Sequence, residues 1–374
     1  MLRTSRRLVA AAVQASPAAL GNDGYTVTTN ETAIGSCTYL LAKEIEITPL
    51  TGDSIERDYI RGYTGSYTSY MANKQAQMTL TVELTSLNKD NASASTVTEA
   101  DVPGWDPLMQ ACGNTRQIAD VLAVGDADTN ADAITYTPMS LGGSVPICTI
   151  RFFLDGLEHV MHDCRGTFTL NYQAGEVPTI VFTMTGIYKT PDTVTFPDTT
   201  ALGNITYKQM PGTVFQAQYS DTAANDHVPA GGFAFAGIES SGSTNATFGC
   251  SSFTFEQGNE ITYRSVVGTA PEVKILERRT TGTAVVQGSA ANFKSLFEKA
   301  ENELLASTKS QVLHGREYND ESSTNLYRRV LLTVDQTRVG QPTYQDDSGI
   351  HLLSCPFAAV PSNTGNDEYK LTLF

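Results

Sequence analysis

One cluster of metal-type side chains stands out in the sequence, His159-Val-Met-His162-Asp163-Cys164. Imidazole, carboxylate and thiolate are the ordinary donors to zinc and related ions, so the composition of the cluster fits a metal centre. Its spacing does not. The surrounding residues read as a strand, in which positions three apart point to opposite faces, so His159 and His162 could close on one ion only across a bulge. The other histidines, His227, His314 and His351, have no nucleophile pattern beside them. A calcium-loop imitation, Asp126-Ala-Asp128-Thr-Asn130-Ala-Asp132, has Ala131 where the sharp turn needs glycine and Thr137 where a bidentate glutamate should close the site. There is no GxSxG elbow, phosphate-cradling GxxxxGK[ST], dinucleotide glycine fingerprint or HExxH. With 40 carboxylates in the chain, glycosidase-like pairs arise from composition alone and specify nothing. The sequence therefore predicts no catalytic residue, no cofactor and no metal ligand, and a protein that is not an enzyme.

The remaining candidate is a contact rather than a reaction. Thr51 to Gln77 is a long polar stretch that carries Asp53, Glu56, Arg57, Asp58 and Arg61 among Tyr59, Tyr63, Tyr67 and Tyr70. Tyrosine and arginine are enriched in interfaces because a stiff amphipathic ring or planar guanidinium adds contact area at low entropic cost. A loop of that length inside a domain is usually functional. The subunit-contact residues predicted here are Asp53, Glu56, Arg57, Asp58, Tyr59, Arg61 and Tyr63; the competing reading of the stretch is a solvated hairpin tip.

The elements that would carry this stretch are strands. Ile45 and Ile47 alternate with glutamate and threonine, as do Met78, Leu80 and Val82 with threonine and Glu83, so two half-buried strands flank the loop. Phe168, Leu170 and Tyr172, then Ile180, Phe182 and Met184, alternate in the same way around Gln173-Ala-Gly-Glu-Val-Pro178, which predicts a hairpin. Upstream, Asp155-Gly156 suits a tight two-residue turn, and the whole of Arg151 to Pro191 reads as a four-strand antiparallel meander. Asp106-Pro107-Leu-Met-Gln-Ala-Cys112-Gly113 has the punctuation of a short helix, with Asp106 as N-cap. A longer helix is predicted over Asn292 to Ala306, where Phe293, Leu296, Phe297, Ala300 and Leu304 share one face. Strand, polar loop, strand, helix and closing hairpins thus occur twice, and Phe253-Thr-Phe255-Glu-Gln-Gly258-Asn259-Glu-Ile261 parallels Ile45-Glu-Ile47 through Ile55.

Composition sets the limits. A chain of 374 residues exceeds the usual single domain, and a net charge of -15 opposes phosphate binding by counterion release. The six cysteines form no CxxC pair and predict free buried thiols in a reducing cytoplasm. No apolar run reaches membrane-spanning length. The opening MLRTSRRLVAAAVQASPAA imitates a signal peptide, but its apolar run is very short, and it is read as an ordered arm or short helix.

The runs Gly166-Thr-Phe-Thr-Leu170, Ala174-Gly175-Glu-Val-Pro178 and Phe182-Thr-Met-Thr-Gly186-Ile-Tyr188 with Pro191 resemble the closing hairpin of long-tailed bacteriophage tail tube (major tail) proteins. Ile47-Thr-Pro-Leu-Thr-Gly52 through Arg57, and Gly365-Asn-Asp-Glu-Tyr369, are similar to other parts of that family. The resemblance implies a mainly β fold of antiparallel barrel- or sandwich-like tail-tube modules, here two in tandem, each with one helix and long loops. The expected organisation is an N-terminal arm at 1–36, a first module at 37–197, a linker or decoration at 198–250 and a second module at 251–374. The implied function is structural, a virion protein whose rings stack into the tube through which the genome leaves. Partners implied are further copies of the chain, as homotrimeric pseudo-sixfold rings in preference to hexamers, with the tape measure, terminator and distal tail proteins. DNA would pass through the lumen without specific binding, and the loop at Asp53 to Tyr63 would reach the neighbouring ring. The implied location is the virion tail, assembled in the bacterial cytoplasm. The alternatives are a baseplate or receptor-binding subunit and, in a different class, a β-sandwich glycan hydrolase.

Overall fold

A computed structural model of the chain describes residues 6–20, 27–28, 30–57, 59–60, 62, 68–87, 97–119, 133–140, 145–197, 233–240, 243–302, 309–319 and 325–373. These residues are mainly β and pair antiparallel, and no sheet among them closes into a barrel. Eight strands form the path of the largest sheet: β1 (Ala42–Ile55), β2 (Tyr70–Glu83), β3 (Leu157–Gln173), β4 (Thr179–Tyr188), β5 (Gly249–Glu256), β6 (Thr281–Gln287), β7 (Thr337–Val339) and β8 (Ile350–Ala359). Their spatial order is β7-β8-β6-β5-β3-β4-β2-β1.

Divided between β5 and β3, this path becomes two four-strand stretches with one plan. In each, the second strand of an opening hairpin pairs with the last strand of the set, β2 with β4 and β6 with β8. That last strand pairs on its other edge with the strand before it, β4 with β3 and β8 with β7. A helix follows each opening hairpin, α1 (Asp106–Ala111) and α2 (Ala290–Asn302). The stretches join where β3 pairs with β5, Thr169 opposite Glu256 through Gln173 opposite Ser252.

The period-2 alternation decides which face is buried. Met78, Leu80, Phe168, Phe182, Phe253, Phe255, Leu353 and Phe357 enter one hydrophobic cluster. A second sheet, which includes Ala133–Pro138, Asn325–Val334 and Lys370–Leu373, sends Tyr136, Leu332 and Leu371 into the same cluster. Each fully buried aliphatic or aromatic side chain contributes about 1.5–3 kcal/mol, so this shared cluster is the main term holding the sheets together. Tyr369 sits edge-on to Phe255 and Phe168, 5.1 and 6.0 Å between centroids, and Trp105 packs on Tyr136 at 5.5 Å.

Several sequence expectations change in detail. The four-strand meander has three strands, because β3 runs unbroken for 17 residues. Its pairing shifts register between His162 and Arg165 and Asp163 takes φ 51°, a bulge that bends the strand without ending it. The two-residue turn at Asp155-Gly156 forms with positive φ at both positions. Of the ordered arm or short helix expected at the N-terminal segment, Arg7–Gln14 is ordered but not helical. It is a strand paired along all eight residues with Ile147–Leu154, and Ala10 and Ala11 are fully buried. Its continuous apolar run reflects burial on both faces, the pattern of an inner strand. Trp105, rather than Asp106, is the N-cap of α1. Asp106 is instead buried and accepts hydrogen bonds from Tyr136, Gln110 and Arg116 at 2.7–2.8 Å. The calcium-like loop at 126–132, His227 and most of the expected linker at 198–250 lie outside the described residues.

Candidate subunit-contact surface

The stretch Thr51 to Gln77 is not a long irregular loop. β1 and β2 continue through most of it, pairing Thr51 with Gln75, Asp53 with Ala72 and Ile55 with Tyr70, so the hairpin projects past the end of β4. The sequence hid this extension because both of its faces are solvated, which removes the alternation that marks a half-buried strand. Asp53, Glu56, Arg57 and Tyr59 are all exposed on the resulting arm. Asn73, at φ 51°, donates to the Asp53 carboxylate at 2.7 Å, and the Arg57 guanidinium lies 4.0 Å from the centre of the Tyr70 ring. Asp58, Arg61 and Tyr63 lie outside the described residues. Sequence reasoning missed the apolar members of the arm, Leu50, Ile55, Ile60 and Met71, each exposed. Their signal was available as isolated large aliphatics inside a polar stretch.

The corresponding hairpin of the second stretch is bent. β5 ends at Glu256, Gly258 takes φ +68°, and the chain continues as Asn259–Arg264, paired with Glu272–Arg278 before β6. A Cβ on Gly258 would overlap the Arg279 carbonyl oxygen, so the bend needs glycine for both its φ and its space. The bent arm lies across β3 and β4. The Asn259 side-chain amide donates to the Cys112 and Gly166 carbonyls at 2.7 and 2.9 Å. The Arg165 guanidinium donates to the carbonyls of Val273 and, at 2.9 Å, Val145. Arg278 reaches Glu368 at 2.7 Å and the Met139 carbonyl at 3.1 Å. Burial lowers the Arg165 pKa, which nearby Asp163 and Glu272 offset only in part.

Both ends of the eight-strand path are strands with one hydrogen-bonding edge not used within the described chain, while a side branch of the sheet runs through Ile147–Leu154 and Arg7–Gln14 to Thr38–Leu40. At one end this is β1, and at the other β7 and Thr343–Asp347, which both pair with β8. The sheet face opposite the core carries Thr79, Thr81, Thr169, Thr183, Thr254, Thr281 and Thr283, partly or fully exposed, with exposed Glu44, Glu46 and Glu256 in register with them. A groove of about 530 Å³ opens on this face, lined by Glu256, Arg338, Gly340, Pro356, Phe357 and Ala358 among others.

The metal-type cluster has the bulge its spacing required, yet no group of three or more His, Cys, Asp or Glu gathers around a common point among the described residues. Asp163 serves another purpose. It accepts from the Gln14 side-chain amide and from the Ala18 N–H at 2.8 Å, while its own N–H donates to Gln14 Oε1 at 3.0 Å. Burial raises the Asp163 pKa, but the adjacent His162 ring and the hydrogen bonds from Ala18 and Gln14 outweigh it and hold the carboxyl below its ordinary value. The cluster therefore pins the N-terminal strand. Burial lowers the pKa of His159, whose ring lies 6.2 Å from Phe152. All six cysteines are unpaired, and burial pushes the Cys355 thiol up to about 12, which makes it a poor nucleophile.

No known protein family and no curated protein matches the chain. No helix among the described residues is long and apolar enough to cross a membrane.

Proposed function

We propose that the protein is a structural subunit of a bacteriophage tail tube, two tube modules in tandem, whose copies close into rings that stack around a lumen for the genome. The observation that carries this reading is the sheet: two four-strand stretches of the same order lie side by side, and the path ends at each side in a strand with no further strand paired to it among the described residues. A sheet with two such edges is a template for pairing with further copies, and a closed ring removes both edges at once by repeating one heterologous contact. With two modules per chain, three copies give a pseudo-sixfold ring. The sandwich-like packing of the second sheet on one face leaves the threonine-rich face, outside the groove beside Glu256 and Pro356, for the bore. Its glutamates would repel a phosphate backbone, so DNA could slide without adhering. The acidic net charge of -15 agrees with a wall that does not grip nucleic acid. The tube belongs to the virion tail, and its chemistry needs no cofactor.

Negative-stain electron microscopy of the purified chain at high concentration tests this directly. End-on views should show rings or tubes with an open centre and threefold modulation of the rim. Compact particles without a bore would end the proposal, and an even sixfold rim with one chain per sector would end its tandem part.

A further inference from the structure

The two hairpin arms differ in one respect that bears on how copies meet. In the second arm the apolar residues are covered, with Val273 and Ile275 only 1% and 8% exposed, because the arm lies across β3 and β4 of the preceding four-strand stretch. In the first arm the apolar residues are bare, with Ile55 and Met71 54% and 45% exposed. No four-strand stretch precedes β1 on its side of the sheet among the described residues. The stretch that would precede it in a ring is the second one of a neighbouring copy, which ends in β8 and β7. There a groove lined by Glu256 of β5 and Thr281 and Thr283 of β6 extends over Pro356 and Ala358 of β8 to Arg338 of β7, and β7 and β8 are the strands whose places in the plan match β3 and β4. No part of the described chain fills it.

We infer that the first arm docks sideways, into the β7–β8 groove of the adjacent copy in the same ring, in the way the second arm docks within its own chain. The seam inside each subunit is then the template for the seam between subunits. The chemistry matches on both sides. Ile55, Ile60 and Met71 bring aliphatic surface to Pro356 and Ala358, and Asp53 and Arg57 bring charges of either sign to Arg338 and Glu256. Removing exposed aliphatic area from water drives such contacts, and complementary rim charges set their register. This contact differs from one between stacked rings, since it must be present in a single ring.

The inference rests on ring assembly, and one experiment separates the two. Met71 is replaced by the photo-cross-linker p-benzoylphenylalanine in full-length protein, which is mixed with isotopically heavy copies, sized by sedimentation and irradiated. The expected result is a light–heavy cross-link from position 71 to the segment 337–359, present in the isolated ring fraction and lost with Ala358→Arg. Rings that cross-link elsewhere, or cross-link to 337–359 only after stacking into tubes, overturn the sideways contact and leave ring assembly standing. A wild-type chain that stays monomeric at all concentrations overturns both.

Discussion

The hairpin from β1 to β2 and the hairpin from β5 to β6 leave the large sheet at matching places and then part ways. The first continues outward through small irregularities at Thr48 to Asp53, while the second bends at Gly258 and settles on its own chain. The difference has a local cause. Beyond Glu256, the edge of β3 that β5 had been following is already occupied by Ile147–Leu154, which pairs with Leu157 to Cys164. The second arm cannot continue as a sheet strand and turns aside, where Arg165 and Asn259 supply partners for backbone groups it meets. At β1 the outer edge is not used by the described chain, so nothing there forces a bend. One plan thus yields one internal contact and one exposed arm, and what an arm packs on depends on its neighbour more than on its own sequence.

The strongest way to break the comparison is at the bend. Gly258→Val places a β-branched residue at φ +68° with its Cβ on the Arg279 carbonyl, and should cost about 3 kcal/mol or more of stability. Gly52→Val on the first arm also meets backbone, the Ala72 carbonyl oxygen, but it needs no positive φ and sits on an exposed hairpin that can shift, so its loss should be smaller. Urea unfolding of the two variants checks the contrast; equal losses would mean that the first arm is as firmly held as the second.

Next in size is the clasp. Arg165→Ala removes the guanidinium that donates to the Val273 and Val145 carbonyls and should cost about 2–3 kcal/mol, the range for hydrogen bonds from a charged donor. Hydrogen exchange should rise first in Glu272–Arg278, ahead of the large sheet. A loss spread evenly over all strands would show that Arg165 stabilises the sheet itself and not the docked arm.

The apolar residues give a third, smaller contrast. Ile275→Ala, on the docked arm, should destabilise the isolated subunit by about 2 kcal/mol, whereas Leu50→Ala on the exposed arm should change it by less than about 0.5 kcal/mol. The ranking should be reversed for assembly, with Leu50→Ala delaying ring formation in sedimentation runs. An exposed-arm substitution that lowers monomer stability as much as Ile275→Ala would remove the distinction.

Much of the large sheet was readable in the sequence because its strands are half-buried, and half-burial writes alternation into β2, β3, β4 and β5. The Asp155-Gly156 turn and α2 were equally legible, one from its φ requirement and the other from Phe293 and Leu296 on one face. What escaped was structure without that contrast. Arg7–Gln14 is buried on both sides and so imitated a leader and read as an arm or short helix instead of a strand, and the outer parts of β1 and β2 are wet on both sides and so looked like a loop. Of the candidate contact residues, the polar ones were singled out because arginine and tyrosine signal interfaces. The aliphatics that distinguish the first arm from the second acquire meaning only once Val273 and Ile275 are seen covered. Nor could spacing tell that Asp163 binds Gln14, 149 residues away, instead of a metal.

That bond supplies the smallest expected effect and a last difference between the halves. The first stretch is flanked by Arg7–Gln14, tied down by the Asp163 carboxylate, and the second has no such terminal strand among the described residues. Asp163 holds its folded pKa below the unfolded value of about 3.9, so its contribution is present above that pH and is lost as pH falls through the folded value. Asp163→Asn keeps the shape but not the charge, and should cost about 1 kcal/mol at neutral pH while flattening the decline of stability below pH ~4. Acid unfolding followed by exchange should release Arg7–Gln14 and Ile147–Leu154 ahead of β6 and β8 in the wild type, and lose that order in the variant. If β6 and β8 open first in both, the acid-sensitive tie lies in the second half, and the N-terminal strand is held by its backbone ladder alone.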